Sequence, residues 1–315
     1  MRGHVANNKY PHRVGWIGTG RMGAALVERL LASDVDLWVY NRTRSKAEPL
    51  AAKGAKIVDS PADLAERDIV FTMVAGPEDV LEVTLGAEGV LSRPDHRPEI
   101  IVDSTTIDAT TSRTLTERAA ELGTAVLAAP VSGNPKVVKS GRLTAVVSGP
   151  KDAYETASPY LECFGSKVTY VGAGDEARVV KMCHNLMLGV VTQCLAEITV
   201  LAEAAGVTRA DFLEFFNDSV MGSTFTRYKT PAFVNLDYTP SFTWHLLRKD
   251  FELGLETGRR LSVPLPTAAV VHQIVMDGIG RGFGDQDFAS MLSRHAEGTD
   301  VVLVPENKDV SDGLS

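Results

Sequence analysis

Apolar residues follow two rhythms along this chain, and the change of rhythm divides it. Residues 14–18, 36–40, 56–58, 69–74 and 100–103 are short runs rich in Val and Ile, the composition of buried strands. Between or after them, residues 21–31, 45–53, 61–66, 77–85 and 108–122 carry apolar positions at helical spacing. Strand and helix in alternation predict a parallel sheet with helices on both faces, a doubly wound Rossmann α/β domain. Further strands are predicted at 125–129, 143–148 and 167–171, with a helix at 152–164 between the last two. The stretch Val171-Gly172-Ala173-Gly174-Asp175 reads as a hinge, with Asp175 placed to cap the helix that follows.

Beyond Asp175 the strand rhythm stops, and an all-α domain is predicted, with helices over 176–205, 209–217, 246–261 and 266–280. The first is apolar on nearly every side in its middle, which predicts burial between domains or between subunits. Lys181, His184, Asn185, Gln193 and Glu197 interrupt it and argue against a membrane span. The reading gives a cofactor-binding domain at 12–174, a helical substrate and dimerisation domain at 175–298, and loose tails at 1–11 and 299–315. The active site is expected in the cleft between the domains, beside the start of the long helix. The apolar helix also predicts a homodimer or homotetramer.

Composition narrows the class. With 44% hydrophobic and 23% charged residues the chain is an ordinary globular protein, and its net charge of −8 gives no support to a nucleic-acid partner. Cys163, Cys183 and Cys194 form no CxxC pair, and the seven histidines show no ligand spacing, so neither a disulfide framework nor a metal site is expected. Free thiols and a polar N-terminal stretch predict a cytoplasmic protein.

The chemistry starts at Gly18-Thr19-Gly20-Arg21-Met22-Gly23, a G-x-G-x-x-G turn between a strand and a helix. In that context the first glycine permits the tight turn, the second lets a pyrophosphate reach the backbone, and the third lets helix and strand pack closely. Arg21 and Met22 are expected to join the glycines in holding a dinucleotide at the helix N-terminus. The second strand ends in Asn41-Arg42-Thr43-Arg44, where a fold selective for NAD carries Asp or Glu. A guanidinium there binds a 2′-phosphate with a planar fork of donors, so NADP is expected over NAD, with NAD still possible. Met73 and Val74 are further expected cofactor contacts.

Four separated motifs make the chain resemble the β-hydroxyacid dehydrogenases over about residues 13 to 295. They are the glycine turn with Met22-Gly23; Asp103-Ser104-Thr105-Thr106; Ala129-Pro130-Val131-Ser132-Gly133-Asn134; and Gly174 followed by Lys181-Met182-Cys183-His184-Asn185. Lys249-Asp250 and Pro264-Leu265-Pro266 support the match. The resemblance implies that Thr106 lies beside the nicotinamide ribose, that Ser132, Gly133 and Asn134 bind substrate, and that Lys181 is the catalytic acid/base. Asn134 stands where the family has a second glycine, and Arg142 where it has threonine; both point to a substrate more polar or larger than 3-hydroxyisobutyrate.

The residues suit the chemistry in their own right. Alcohol oxidation sends a hydride to the nicotinamide and a proton to a positioned base. Lys181 and Asn185 are four apart on a predicted helix and share a face. Burial beside a cationic ring would lower the lysine toward neutrality, and Asn185 would fix its geometry or that of the substrate oxygen. Ser132 and the amides of Gly133 and Asn134 could hold a small-molecule carboxylate, with Lys249 at the other end of cofactor or substrate. Phe242 and Trp244 fit either a pocket wall or the core. The function expected is hydride transfer between NADP(H) and a small 3-hydroxy acid or its semialdehyde. The alternatives are an imine reductase, a decarboxylating enzyme like 6-phosphogluconate dehydrogenase (whose K-M-x-H-N segment His184 fits), and a non-enzymatic NADP-binding protein.

Overall fold

The computed structural model describes residues 9–314; the first eight residues of the expected N-terminal tail lie outside them. The chain divides between Lys181 and Met182 into two compact units. The first holds a mixed sheet in the order β3-β2-β1-β4-β5-β6-β8-β7, with β9 paired to β8. Its strands and helices run β1 (Val14–Ile17), α1 (Arg21–Leu31), β2 (Leu37–Tyr40), α2 (Glu48–Ala51), β3 (Lys56–Ile57), β4 (Ile69–Thr72), α3 (Pro77–Leu85), β5 (Ile100–Asp103), α4 (Ala109–Glu121), β6 (Ala125–Ala128), β7 (Val131–Ser132), α5 (Pro135–Lys139), β8 (Leu143–Ser148), α6 (Lys151–Leu161) and β9 (Gly165–Gly172). The first six strands pair parallel to one another, and β8 runs antiparallel to β6 and β7. This is the Rossmann arrangement that the alternating rhythm predicts.

Strand alternation builds two cores. Ile69, Phe71, Ile100 and Val102 face one, with Trp16, Leu26, Leu30 and Phe164. Val70, Ile101 and Ile17 face the other, with Val80 on α3 and Leu115 on α4. Trp16 stacks on Phe71 with ring centroids 5.5 Å apart, and its indole N–H donates to the Gly18 carbonyl at 2.7 Å. Two details differ from the periodicity. Residues 45–53 form a 3₁₀ turn and the short α2 rather than one helix, because Pro49 fits only the first turn of α2. Residues 61–64 are a 3₁₀ turn with a Ser60/Asp63 capping box.

α7 (Glu176–Ala204) begins in this unit and continues into the second, which adds α8 (Arg209–Asp218), α9 (Thr224–Asn235), α10 (Trp244–Arg260), α11 (Pro266–Gly280) and α12 (Met291–Ala296). Among the described helices α7 is long and apolar enough to cross a membrane, and half of its most apolar stretch is buried against this chain. The helical core gathers Leu186, Phe233, Trp244, Leu247, Phe251 and Phe288. Trp244 is fully buried and donates to Ser290 Oγ at 2.8 Å, and Phe242 meets the ring of Phe288, so both aromatic residues belong to the core.

The C-terminal stretch, expected to be a loose tail, is instead fastened down. Glu306 accepts from the backbone N–H groups of Arg209 at 2.6 Å and Ala210 at 3.2 Å, which caps α8. The fully buried Arg209 guanidinium donates to the carbonyls of Phe233, Val234 and Val304. Asn235 and Lys308 exchange hydrogen bonds at 2.9 and 3.1 Å. Tyr10, also assigned to a loose tail, packs on Tyr160 with centroids 5.3 Å apart.

Candidate active site

Register places the predicted cofactor residues of the first unit along one edge, while Lys249 stands on α10 of the second. Ile17 pairs with Tyr40 and with Thr72, and Thr72 with Asp103, which in turn pairs with Ala128. The residues that follow, Gly18, Asn41, Met73, Ser104 and Ala129, therefore form a row at the carboxyl ends of the parallel strands. Backbone bonds from Gly18 to Tyr40, Met73 to Ile17, Ser104 to Thr72 and Ala129 to Asp103, at 2.8–2.9 Å, hold that row. Strand order reverses between β1 and β4, and such a switch point opens a crevice at this edge.

The glycine turn fits a dinucleotide on its own geometry. Gly18 has φ +99°, and a Cβ there would sit 2.1 Å from the Met73 carbonyl oxygen. A Cβ on Gly23 would lie 2.0 Å from the Gly18 oxygen, so only glycine lets α1 approach the strand. Gly20 differs: a Cβ there meets nothing within 4 Å, and no side chain caps α1 at this position. The buried Thr19 hydroxyl finds no hydrogen-bond partner among the described residues. An open glycine, uncapped helix amides and an orphaned hydroxyl form a cradle for a pyrophosphate. Arg21 and Met22 open α1 beside it.

The end of β2 shows why an amide suits position 41. Asn41 Oδ1 accepts from the Thr19 amide at 2.8 Å, and its Nδ2 donates to the Thr43 carbonyl at 2.9 Å. The side chain ties the glycine turn to the β2 loop and needs both an acceptor and a donor, and a carboxylate would supply only the acceptor. Arg42 is exposed and pairs with Asp79 at 2.9 Å; Arg44 pairs with Asp59. Past β4, the amide of Val74 donates to Thr105 Oγ1 at 3.1 Å, so the β4 loop and the segment carrying Thr106 are joined.

Ser132 ends the two-residue β7, with Gly133 at φ +143°. Asn134, which stands where the family has a second glycine, takes an ordinary extended backbone. Its φ is −119° and ψ 177°, and its side-chain oxygen accepts from the Val137 amide at 3.1 Å as the cap of α5. A side chain with that job explains how the chain dispenses with a second glycine.

On α7, Lys181 is half-buried and lies one helical turn before Asn185, which is buried. Asn185 Nδ2 donates to Asp250 Oδ2 at 2.6 Å, and its Oδ1 lies 3.0 Å from His184 Nδ1. Asp250 is 3% exposed, with the Lys249 amine 4.0 Å away. A Cβ on Gly189 would lie 2.3 Å from the Phe251 ring, so this glycine lets α7 and α10 close to the distance that the Asn185–Asp250 bond requires. Sequence reasoning gave Asp250 only a supporting place. Asp175 does not cap α7 as expected: its carboxylate accepts from Ser112 Oγ at 2.7 Å and meets Arg178, while the Ala177 amide donates to Ser148 Oγ at 3.0 Å. Arg178 itself was missed; an arginine one turn before the lysine, within an apolar stretch, was the available signal. Among the described residues no group of three His, Cys, Asp or Glu side chains is placed to hold a metal ion.

Residues 13–172 match the NAD binding domain of 6-phosphogluconate dehydrogenase. Residues 172–295 match the family described as NAD-binding of NADP-dependent 3-hydroxyisobutyrate dehydrogenase. An uncharacterized oxidoreductase of Bacillus subtilis is 31% identical, over 89% of this chain and 98% of that protein. Glyoxylate/succinic semialdehyde reductase 2 of Arabidopsis thaliana is 28% identical, over 89% of this chain and 78% of its own. The solved structure of Psf3 in complex with NADP+ and 2-OPP is 27% identical with a TM-score of 0.79, covering 89% of this chain and 99% of that one. Both units are spanned by these matches, and the chain belongs to the β-hydroxyacid dehydrogenase family of NAD(P)-dependent oxidoreductases that act on CH–OH groups.

Proposed function

We propose that this protein transfers a hydride between NADP(H) and a small 3-hydroxy acid or the corresponding semialdehyde, with Lys181 as acid/base. The observation that carries the proposal is the place of Lys181 on α7, one turn before an Asn185 whose amide is held by the buried Asp250 at 2.6 Å. A neighbouring amide locked by a buried carboxylate is the support a proton-transfer group needs.

Bound nicotinamide supplies the hydride acceptor or donor. The protein does the rest. The Lys181 amine takes the hydroxyl proton during oxidation and returns it during reduction. Asn185 orients the lysine or the substrate oxygen, because Asp250 fixes its amide nitrogen. Ser132 and the Gly133 amide hold the carboxylate. Asn134 acts through its cap on α5, keeping that loop in shape rather than gripping substrate with its oxygen.

NADP is favoured because no carboxylate stands at position 41 and two guanidinium groups stand nearby. Their partners, Asp79 and Asp59, form exposed pairs of small worth, so a 2′-phosphate displaces them readily. Among the matches, one family is described as NADP-dependent and the structure of Psf3 holds NADP+, which supports the reading. The chain is further read as a homo-oligomer. Met187, Ile198 and Leu201 on α7 are 61%, 40% and 70% exposed at helical spacing, an apolar stripe suited to a second copy.

The test is to follow NADPH absorbance with 3-hydroxyisobutyrate, glyoxylate and succinic semialdehyde, in wild type and Lys181→Ala. Turnover falls by at least roughly 10²-fold in the variant, within the range for a general acid/base, while NADP affinity is kept. An active Lys181→Ala enzyme would exclude the assignment.

A further inference from the structure

We propose that Arg178 is a positioning residue, which clamps the first turn of α7 to the carboxyl end of β5 and so sets where the Lys181 amine stands. The proposal rests on Lys181 being the acid/base.

Arg178 is 9% exposed and offers its donors to three separate segments. Nη2 donates to Asp103 Oδ2 at 2.8 Å, at the end of β5. Nη1 donates to the Thr105 carbonyl at 2.9 Å, in the loop that carries Thr106. Nε donates to Ser112 Oγ on α4 at 2.8 Å and lies 3.1 Å from Asp175 Oδ1, just before α7. Asp103 is fully buried and is itself fixed, since its Oδ1 accepts from Thr72 Oγ1 at 2.7 Å and from the Thr105 amide at 3.2 Å.

Neutralising a buried arginine needs only the carboxylates. The bonds to Thr105 and Ser112 add no charge, but they fix position. Guanidinium donors lie in one plane at fixed angles, so this set of acceptors is met in one placement of the helix start. Lys181 follows three residues later, about 4.5 Å along a stiff helix. A shift at Arg178 is therefore carried to the amine. The same guanidinium holds the Thr105 carbonyl, so the lysine-bearing helix and the Thr106 loop are set against each other by one side chain. Proton transfer tolerates little misplacement, which makes such a clamp consequential for rate.

The test uses Arg178→Lys, Ser112→Ala and Lys181→Ala, assayed on whichever substrate of the panel the wild type turns over. The lysine variant keeps the cation but cannot reach Asp103, Thr105 and Ser112 together. It should lower kcat by at least about tenfold with NADPH affinity within about threefold, and raise the isotope effect from deuterated NADPH as the chemical step becomes limiting. Ser112→Ala removes one acceptor and should lower kcat by roughly two- to fivefold with the same isotope trend. Both variants should unfold cooperatively. If Arg178→Lys does not fold, Ser112→Ala decides. The clamp is overturned if kcat and isotope effect match wild type in the folded variants, or if kcat falls only in step with NADPH affinity. An active Lys181→Ala enzyme would instead overturn the acid/base reading beneath it, whatever the Arg178 variants do.

Discussion

Two glycines of one motif should fail in opposite ways. At Gly18 a methyl group would lie 2.1 Å from the Met73 carbonyl oxygen on a backbone with φ +99°. The left-handed backbone costs roughly 1–2 kcal/mol for an L-residue, and displacing a fixed carbonyl adds about 1–3 kcal/mol of overpacking. Gly18→Ala should therefore destabilise the unliganded protein by about 2–5 kcal/mol. At Gly20 φ is −64° and a methyl group meets nothing within 4 Å. Reduced freedom of the unfolded chain gains roughly 0.4–1 kcal/mol, and loss of glycine at an N-cap costs a similar amount. Gly20→Ala should thus leave the unliganded stability unchanged within about 1 kcal/mol. Its methyl group instead occupies the space where a pyrophosphate must approach the helix amides. NADP at about 100 times Kd stabilises a protein by roughly 2.7 kcal/mol, and most of that gain should vanish in Gly20→Ala. The assay is thermal or urea unfolding of wild type and both variants, with and without NADP. A Gly20→Ala protein that NADP stabilises as fully as wild type would show that the open space is not the pyrophosphate site. A Gly18→Ala protein of wild-type stability would refute the steric argument.

Other outcomes are equally specific. Lys229 and Asp287 form a buried pair at 2.5 Å, with side chains 5% and 3% exposed. Burial pushes the Asp287 carboxyl up, but Lys229 and its hydrogen bonds more than offset this and hold it below the usual range; burial lowers Lys229. A depressed carboxylate stabilises the fold above its unfolded pKa and loses that contribution as pH falls through the folded value. Lys229→Met should cost roughly 3–5 kcal/mol at neutral pH. The gap from wild type should narrow toward pH 4 as the orphaned Asp287 takes up a proton, whereas a gap constant from pH 8 to 4 in urea titrations would refute this. Asn41→Asp keeps the acceptor for Thr19 but loses the donor to Thr43 and adds charge, so the ratio of kcat/KM for NADP over NAD should fall by at least about tenfold; an unchanged ratio would count against position 41 as the selector. Leu201→Glu, on the exposed stripe of α7, should yield a smaller species by light scattering, and an unchanged mass would remove the stripe from the interface.

Much of the candidate site was legible because it is local. G-x-G-x-x-G, the strand-end asparagine followed by arginine, and the lysine four residues from an asparagine are patterns within a single turn or helix, and backbone geometry converts each into a shape. The alternating rhythm likewise dictates a parallel sheet with two buried faces, since only that arrangement covers strands apolar on both sides. Partner choice was not legible. Arg178 finds Asp103 from 75 residues away, Asn185 finds Asp250 from 65, and Glu306 reaches the start of α8 from 97. The C-terminal stretch was read as a loose tail and Asn134 as a mark of a different substrate, yet one supplies a helix cap and the other is one. A residue's own chemistry states what it can donate, accept or bury; which group it meets depends on chain segments brought together only when the cores form.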